Sequence, residues 1–260
     1  MIITHDINWS PCLSKKIYPA LYAGWPDEGR PVHFFWGLGA DLPKQINEVI
    51  RRKEEWWYVD VGYITADIKR YPTPEILDYD NTYFRICKGG IHSRSMKYNQ
   101  TWPRLSRAFY QQKLFFSGWK NNPDGHILLA PSSETVTKFI NGMTQSEWVR
   151  KITKRLKSVT DKEIRFRNKP RPGNQWWNTD IKDELKDAYC LVTNMSLSAI
   201  DAILMGIPII CDKQHVARPL TSTNINNLNK PDVNNWLQQI GDNQFTLEEI
   251  QNGTAYKYLK

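Results

Sequence analysis

The residues best suited to chemistry gather in one run, Thr193-Asn-Met-Ser-Leu-Ser-Ala-Ile-Asp201, followed by Gly206-Ile-Pro208. An apolar stretch, 188–193, leads into it, and an apolar-periodic helix begins at Ser196 or Ser198. A strand that passes through a hydroxyl-rich turn into a helix points backbone N–H groups out of the sheet edge. Small side chains there let a phosphate come close. Asn194, Ser196 and Ser198 are therefore candidate phosphate contacts, and Asp201, one turn inside the helix, can face the same crevice. The same residues also suit an ordinary strand–turn–helix, with serine as N-cap and Asp201 favoured by the helix dipole.

Charge is the second signal. The 260 residues carry a net charge of +8, unevenly spread. Residues 81–120 contain Arg85, Lys88, Arg94, Lys97, Arg104, Arg107, Lys113 and Lys120 and no acid, and 150–171 hold ten cations against Asp161 and Glu163. Such clusters are an electrostatic footprint for a polyanion or a phosphorylated ligand, although 150–157 alone also fits a solvated helix face. Trp102, Trp119, Trp176 and Trp177 stand beside the basic stretches, where aromatic rings can stack on bases or sugars. The histidines show no metal-binding spacing and the four cysteines form no CxxC pair, so no metal site and no disulfide framework is expected. No run approaches the roughly 18–20 apolar residues of a membrane span, and the start lacks a signal-peptide layout. The expected location is the cytoplasm.

The elements that must position these residues alternate between strand and helix, which predicts α/β architecture with mainly parallel sheets. Strands are expected at 32–36, 56–61, 83–87, 126–130, 163–167, 188–193 and 207–211. Helices are expected near 41–54, 102–113, 134–140, 148–159, 181–187, 196–205, 233–240 and 246–252. The cluster of Gly, Asn, Pro and Asp at 117–125 predicts a boundary between a lobe 1–120 and a lobe 121–260 that includes the C-terminal helices. Ser132, Ser133 and Thr193 fall at neighbouring strand ends, with Ser133 a plausible N-cap.

Asn194-Met-Ser-Leu-Ser-Ala-Ile-Asp-Ala with Gly206-Ile-Pro208 resembles the donor segment of GT-B glycosyltransferases, in particular the capsule-polysaccharide-synthesis type. Arg165-Phe-Arg-Asn-Lys-Pro170 resembles that group's strand-end Arg and His-Pro pair, with Lys169 at the histidine position; lysine supplies charge but cannot copy a neutral imidazole. Tyr58-Val-Asp-Val-Gly-Tyr63 resembles its acidic-x-Gly-Tyr element. The resemblance covers 120–255 and one patch at 56–70. It implies two Rossmann-like lobes around a cleft, with donor phosphate at Ser196 and Ser198 and the donor ribose at Asp201. Arg165, Arg167 and Lys169 would stabilise the leaving group. Asp60 is the first choice as general base, with Asp41 and His92 as alternatives and a strand-end acceptor as Asp60's other role. No cofactor or metal is implied beyond the nucleotide-sugar co-substrate, with a UDP-sugar as the expected donor.

The acid-free stretch bears on the acceptor. Phosphate contacts favour Lys and Arg, and small phage glycosyltransferases act on hydroxymethylated bases of DNA. DNA is thus the favoured acceptor, in host cytoplasm, with Arg85, Lys88, Arg94, Lys97, Arg104 and Arg107 as backbone contacts. Trp102 and Trp119 would stack on a flipped base. The alternatives are a capsule or lipopolysaccharide transferase, and a non-catalytic nucleic-acid-binding protein on a transferase-like fold.

Overall fold

The computed structural model describes residues 1–5, 15–64, 68–69, 75–76, 82–93, 96 and 115–260. The expected helix at 102–113, with Arg94, Lys97, Trp102, Arg104 and Arg107, lies outside them. Two compact units divide the chain, 1–113 with 237–260 and 114–236. Each has its own sheet.

The first unit runs β1 (Ile2–His5), α1 (Ile17–Gly24), β2 (Val32–Trp36), α2 (Leu42–Arg51) and β3 (Glu55–Val61). A two-residue antiparallel pair follows, β4 (Ile68–Lys69) and β5 (Glu75–Ile76), then β6 (Phe84–Lys88). The sheet order is β1-β2-β3-β6, with β1, β2 and β3 parallel and β6 antiparallel to β3. Every residue of β2 is buried, as a near-continuous apolar run requires when both sheet faces are covered. On α2, Leu42, Ile46 and Val49 are buried at i, i+4 and i+7. Ile50, expected with them, turns about 100° away from Val49 and is 46% exposed.

The second unit runs β7 (His126–Leu129), α3 (Glu134–Asn141), α4 (Gln145–Lys157), β8 (Ile164–Phe166) and α5 (Ile181–Leu185). It continues through β9 (Ala188–Val192), α6 (Ser198–Leu204) and β10 (Ile209–Ile210). Its sheet, β10-β9-β7-β8, is parallel throughout. Helix α4 begins three residues earlier than its apolar pattern suggests, because Thr144 and Glu147 close a capping box. Gly206 ends α6 in the left-handed region at φ 75°, and a Cβ there would lie 2.0 Å from the Gly118 carbonyl oxygen. The Gly-Ile-Pro turn is thus a packing requirement: the chain at 118–120 runs against it, with Lys120 N–H donating to Gly206 O at 2.7 Å.

After α7 (Asn234–Asp242) come α8 (Leu247–Gln251) and α9 (Thr254–Leu259). They do not belong with residues 121–236, as the sequence suggested. Phe245, Ile250 and Ala255 share one core with Trp25, Phe34, Trp57 and Phe84. Phe84 and Phe245 exchange both backbone hydrogen bonds at 2.7 Å, so Phe245 acts as a short extension beside the β6 edge. Gly24 leaves room for α8, since a Cβ there would sit 1.7 Å from Ile250 O.

Candidate functional site

In open α/β sheets, ligands gather at the carboxyl ends of strands where successive connections leave in opposite directions. In the second sheet that point lies between β7 and β9, because β7 leads to β8 on one side while β9 leads to β10 on the other. Loop 130–133 and loop 193–197 flank it. The two loops are stitched together. Ser132 N–H donates to Asn194 Oδ1 at 2.8 Å, and Met195 N–H donates to Ser132 Oγ at 3.1 Å. Asn194 Nδ2 donates to Thr137 Oγ1 at 3.1 Å and to Asn141 Oδ1 at 2.9 Å. Asn141 Nδ2 in turn donates to Asp212 Oδ2 at 3.1 Å.

This network changes the expected roles. Asn194 is 1% exposed with its whole amide engaged, and Ser132 is 6% exposed. They build the loops and present nothing to a ligand. Ser133, Ser196, Ser198 and Asp201 are half-buried at the same sheet edge. Ser133 occupies the N-cap position of α3 without a side-chain cap bond. Ser196 Oγ accepts from Ser198 N–H at 3.3 Å and from Ser198 Oγ at 3.0 Å, which tightens the turn. His215 fixes that turn from 19 residues downstream. Its Nδ1 accepts from Ala217 N–H at 2.9 Å, so Nε2 carries the proton and donates to Ser196 O at 3.0 Å. No local spacing marks His215, Asn141 or Asp212 in the sequence; the sheet order alone brings them here.

Asp201 faces the start of α5. Burial pushes its carboxyl up to about 6, opposed by Lys182 and reinforced by Asp180. Asp180 caps α5 by accepting from Lys182 N–H at 3.0 Å. Neither residue stood out in the sequence, since an N-cap beside a lysine is common on any helix.

The three expected leaving-group cations are dispersed. Arg165 lies mid-strand on edge strand β8, with its Nε and Nη2 each 2.8 Å from the Glu163 carboxylate. Arg167 is 2% exposed; it pairs with Glu184 and donates to Thr179 O at 2.8 Å, tying loop 168–180 and α5 to β8. A guanidinium so engaged is not available to a phosphate. Lys169 is exposed on that loop, its carbonyl accepting from Asn174 Nδ2 at 3.1 Å.

In the first unit, Asp60 stands at the carboxyl end of β3. Its Oδ2 accepts from Tyr58 Oη at 2.5 Å and from Arg85 Nη2 at 2.9 Å, and its Oδ1 accepts from Val61 N–H at 2.8 Å. A carboxylate holding three donors is a poor proton acceptor, so the geometry favours the strand-end acceptor role over the base. Arg85 is 4% exposed, with its guanidinium 5.4 and 5.5 Å from the Tyr58 and Tyr63 ring centres and Nη1 donating to Val61 O at 2.6 Å. It is an interior strut and not a nucleic-acid contact. His92, 2% exposed and edge-on to Tyr63 at 5.9 Å, belongs to the same buried cluster. Asp41 is exposed beyond β2, its Oδ2 accepting from Gln45 Nε2 at 2.8 Å. Lys88 is exposed but 3.4 Å from Glu55. Trp119 packs against Phe116 and donates its indole N–H to Pro231 O at 2.7 Å. Among the described residues, no cluster of His, Cys, Asp or Glu is arranged to hold a metal ion, and no helix is long and apolar enough to cross a membrane.

No protein-family model matches the chain, and no curated protein matches it. Among solved structures, its fold is similar to the beta Kdo 2,7 transferase of Thermosulfurimonas dismutans KpsC, with a TM-score of 0.53 at 15% identity over 99% of each chain. The beta Kdo 2,4 transferase of the same organism's KpsC gives a TM-score of 0.43 at 11% identity, over 93% of this chain and 89% of that one. The likeness is one of fold: α/β units built on parallel strands.

Proposed function

We propose that this protein is a glycosyltransferase of the capsule type, moving a Kdo-like acidic sugar from a nucleotide donor to a hydroxyl acceptor. What supports this reading is one coincidence. A chain whose fold follows a Kdo transferase end to end also places Ser133, Ser196, Ser198 and Asp201 together at the switch point of its second sheet. In the reaction, the bond from the anomeric carbon to the donor phosphate breaks, a bond to the acceptor oxygen forms, and the acceptor proton passes to a base. Backbone N–H groups at the start of α3 and the hydroxyls of Ser133 and Ser198 would meet the phosphate, and Asp201 would accept from a donor hydroxyl. Asp41 replaces Asp60 as the preferred base, since it is exposed and carries no cation. DNA is no longer the preferred acceptor: Arg85 is interior, and no finding points to nucleic acid.

The test is thermal stabilisation by a panel of CMP- and UDP-linked sugars, followed by donor turnover with glycan or glycolipid acceptors. Stabilisation by a nucleotide sugar, weakened by Ser196→Ala with Ser198→Ala, is the expected result. A panel with no stabilising member would remove the transferase reading. Turnover that survives Asp41→Asn would remove Asp41 as base.

A further inference from the structure

Helix α4 carries Arg150, Lys151, Lys154, Arg155 and Lys157, all exposed. Its apolar positions Trp148, Val149, Ile152 and Leu156 pack into the core of the second unit. At about 100° per residue, the five cations fall together on the outward face. Glu147 is the helix's one acid, and its carboxylate is held by Thr144 through the backbone N–H and the hydroxyl, both at 2.8 Å. No ion pair among the described residues includes any of the five cations.

This arrangement works against the helix itself. Arg150 with Lys154, and Lys151 with Arg155, are like charges one turn apart, which is destabilising. The carboxyl-end dipole offsets Lys154, Arg155 and Lys157 in the last turn, and Glu147, three residues before Arg150, offsets that cation in part. The same unit exposes apolar side chains. Val159, just past the helix, is 49% exposed, Phe166 39% and Trp177 36%. Ile164 packs in the core beneath α4, so strand alternation puts Phe166 on the α4 side of the sheet. Trp176 meets it edge-on at 5.5 Å.

We propose that the outward face of α4 is a docking surface for an anionic lipid bilayer, with Phe166, Trp176 and Trp177 settling at its headgroup level. The five cations span about 10 Å along a convex helix, and a planar charged surface meets them together. Between Arg150 and Lys157 there is no Asp or Glu, so nothing in that stretch repels an anionic headgroup. Aromatic rings beside cations match the boundary between headgroups and acyl chains. The proposal does not depend on the transferase assignment.

The experiment is co-sedimentation of the full chain with phosphatidylglycerol–phosphatidylcholine vesicles and with phosphatidylcholine alone, at low and high salt. Binding is expected only to anionic vesicles at low salt, with release at high salt. Lys151→Gln, Lys154→Gln and Arg155→Gln combined should weaken it about a hundredfold, taking each cation near the surface at its usual worth. A control triple, Lys44→Gln, Lys213→Gln and Lys257→Gln, removes the same charge elsewhere and should stay near the parent. Both triples should melt cooperatively, since all six side chains are exposed. Absence of anionic-vesicle binding, equal losses in the two triples, or duplex DNA bound through these three residues while vesicles are not, would each overturn the proposal.

Discussion

His5 Nε2 and His33 Nδ1 lie 2.9 Å apart, and the outer nitrogens of both rings face acceptors. His5 Nδ1 is 2.8 Å from Gln45 Oε1, whose amide is oriented by donating to Asp41. His33 Nε2 is 2.9 Å from Glu54 Oε2, which also accepts from Arg52. The contact fastens edge strand β1 to β2 over Phe35, whose ring stacks on His5 at 4.2 Å.

Both rings should resist protonation. Burial is the leading cause that lowers both imidazoles, outweighing the hydrogen bonds of His5 to Gln45 Oε1 and of His33 to the Glu54 carboxylate, which raise them. As pH falls below about 6.5, the unfolded chain protonates both rings while the folded chain lags. Stability is thus present above that pH and lost on acidification. His33→Gln should flatten the fall in melting temperature between about pH 7 and pH 5. Nitrogen-resolved NMR of the imidazoles should count two N–H protons on the two rings at neutral pH; three would mean that the pair is already charged and its protonation favoured.

Asp201→Asn should separate stability from binding. The carboxyl's value, raised to about 6 chiefly by burial, means the folded state favours the protonated acid. Its stabilising contribution is present below the unfolded value and lost as pH rises through the folded one. At pH 8 the amide should therefore melt higher, by roughly 1–3 kcal/mol of stability, with little gain near pH 4. Its affinity for a nucleotide sugar should drop. Lower stability at pH 8 would show that the carboxylate is held by favourable contacts.

Arg85→Ala should cost about 3 kcal/mol or more, because it leaves Asp60 and Tyr58 without their cation inside the first unit. Its binding of polyanions should match the parent's. Chemical denaturation and a filter-binding assay with duplex DNA check the two halves separately. A well-folded Arg85→Ala that loses DNA binding would restore Arg85 as a surface contact.

Asn194→Ala should loosen the loops at the switch point. It removes the acceptor for buried Ser132 N–H and the donor to buried Thr137 and half-buried Asn141, for a loss of roughly 2–4 kcal/mol. Hydrogen exchange should speed at Ser132 N–H, whose bond to Asn194 is the one cut. Unchanged protection there would mean that the stitch is not what holds the loop.

Much of the architecture is legible from the chain alone, because strand and helix periodicity are local. The runs at 32–36, 126–130 and 188–193 become buried parallel strands, and Thr246 with Glu249 closes the capping box that its spacing announces. The hydroxyl-rich turn and Gly206-Ile-Pro208 likewise follow from near neighbours. Residue type and spacing do not reveal what a polar side chain meets across the sheet. Arg85 and Arg167 read as cations for a ligand until the fold sets Asp60 and Glu184 against them, and Asn194 reads as a ligand contact until Ser132, Thr137 and Asn141 saturate its amide. The C-terminal helices carry an apolar face in any fold. That Phe245 joins Phe84, 161 residues away in the chain, depends on backbone groups left open at the β6 edge, and only the tertiary structure decides that.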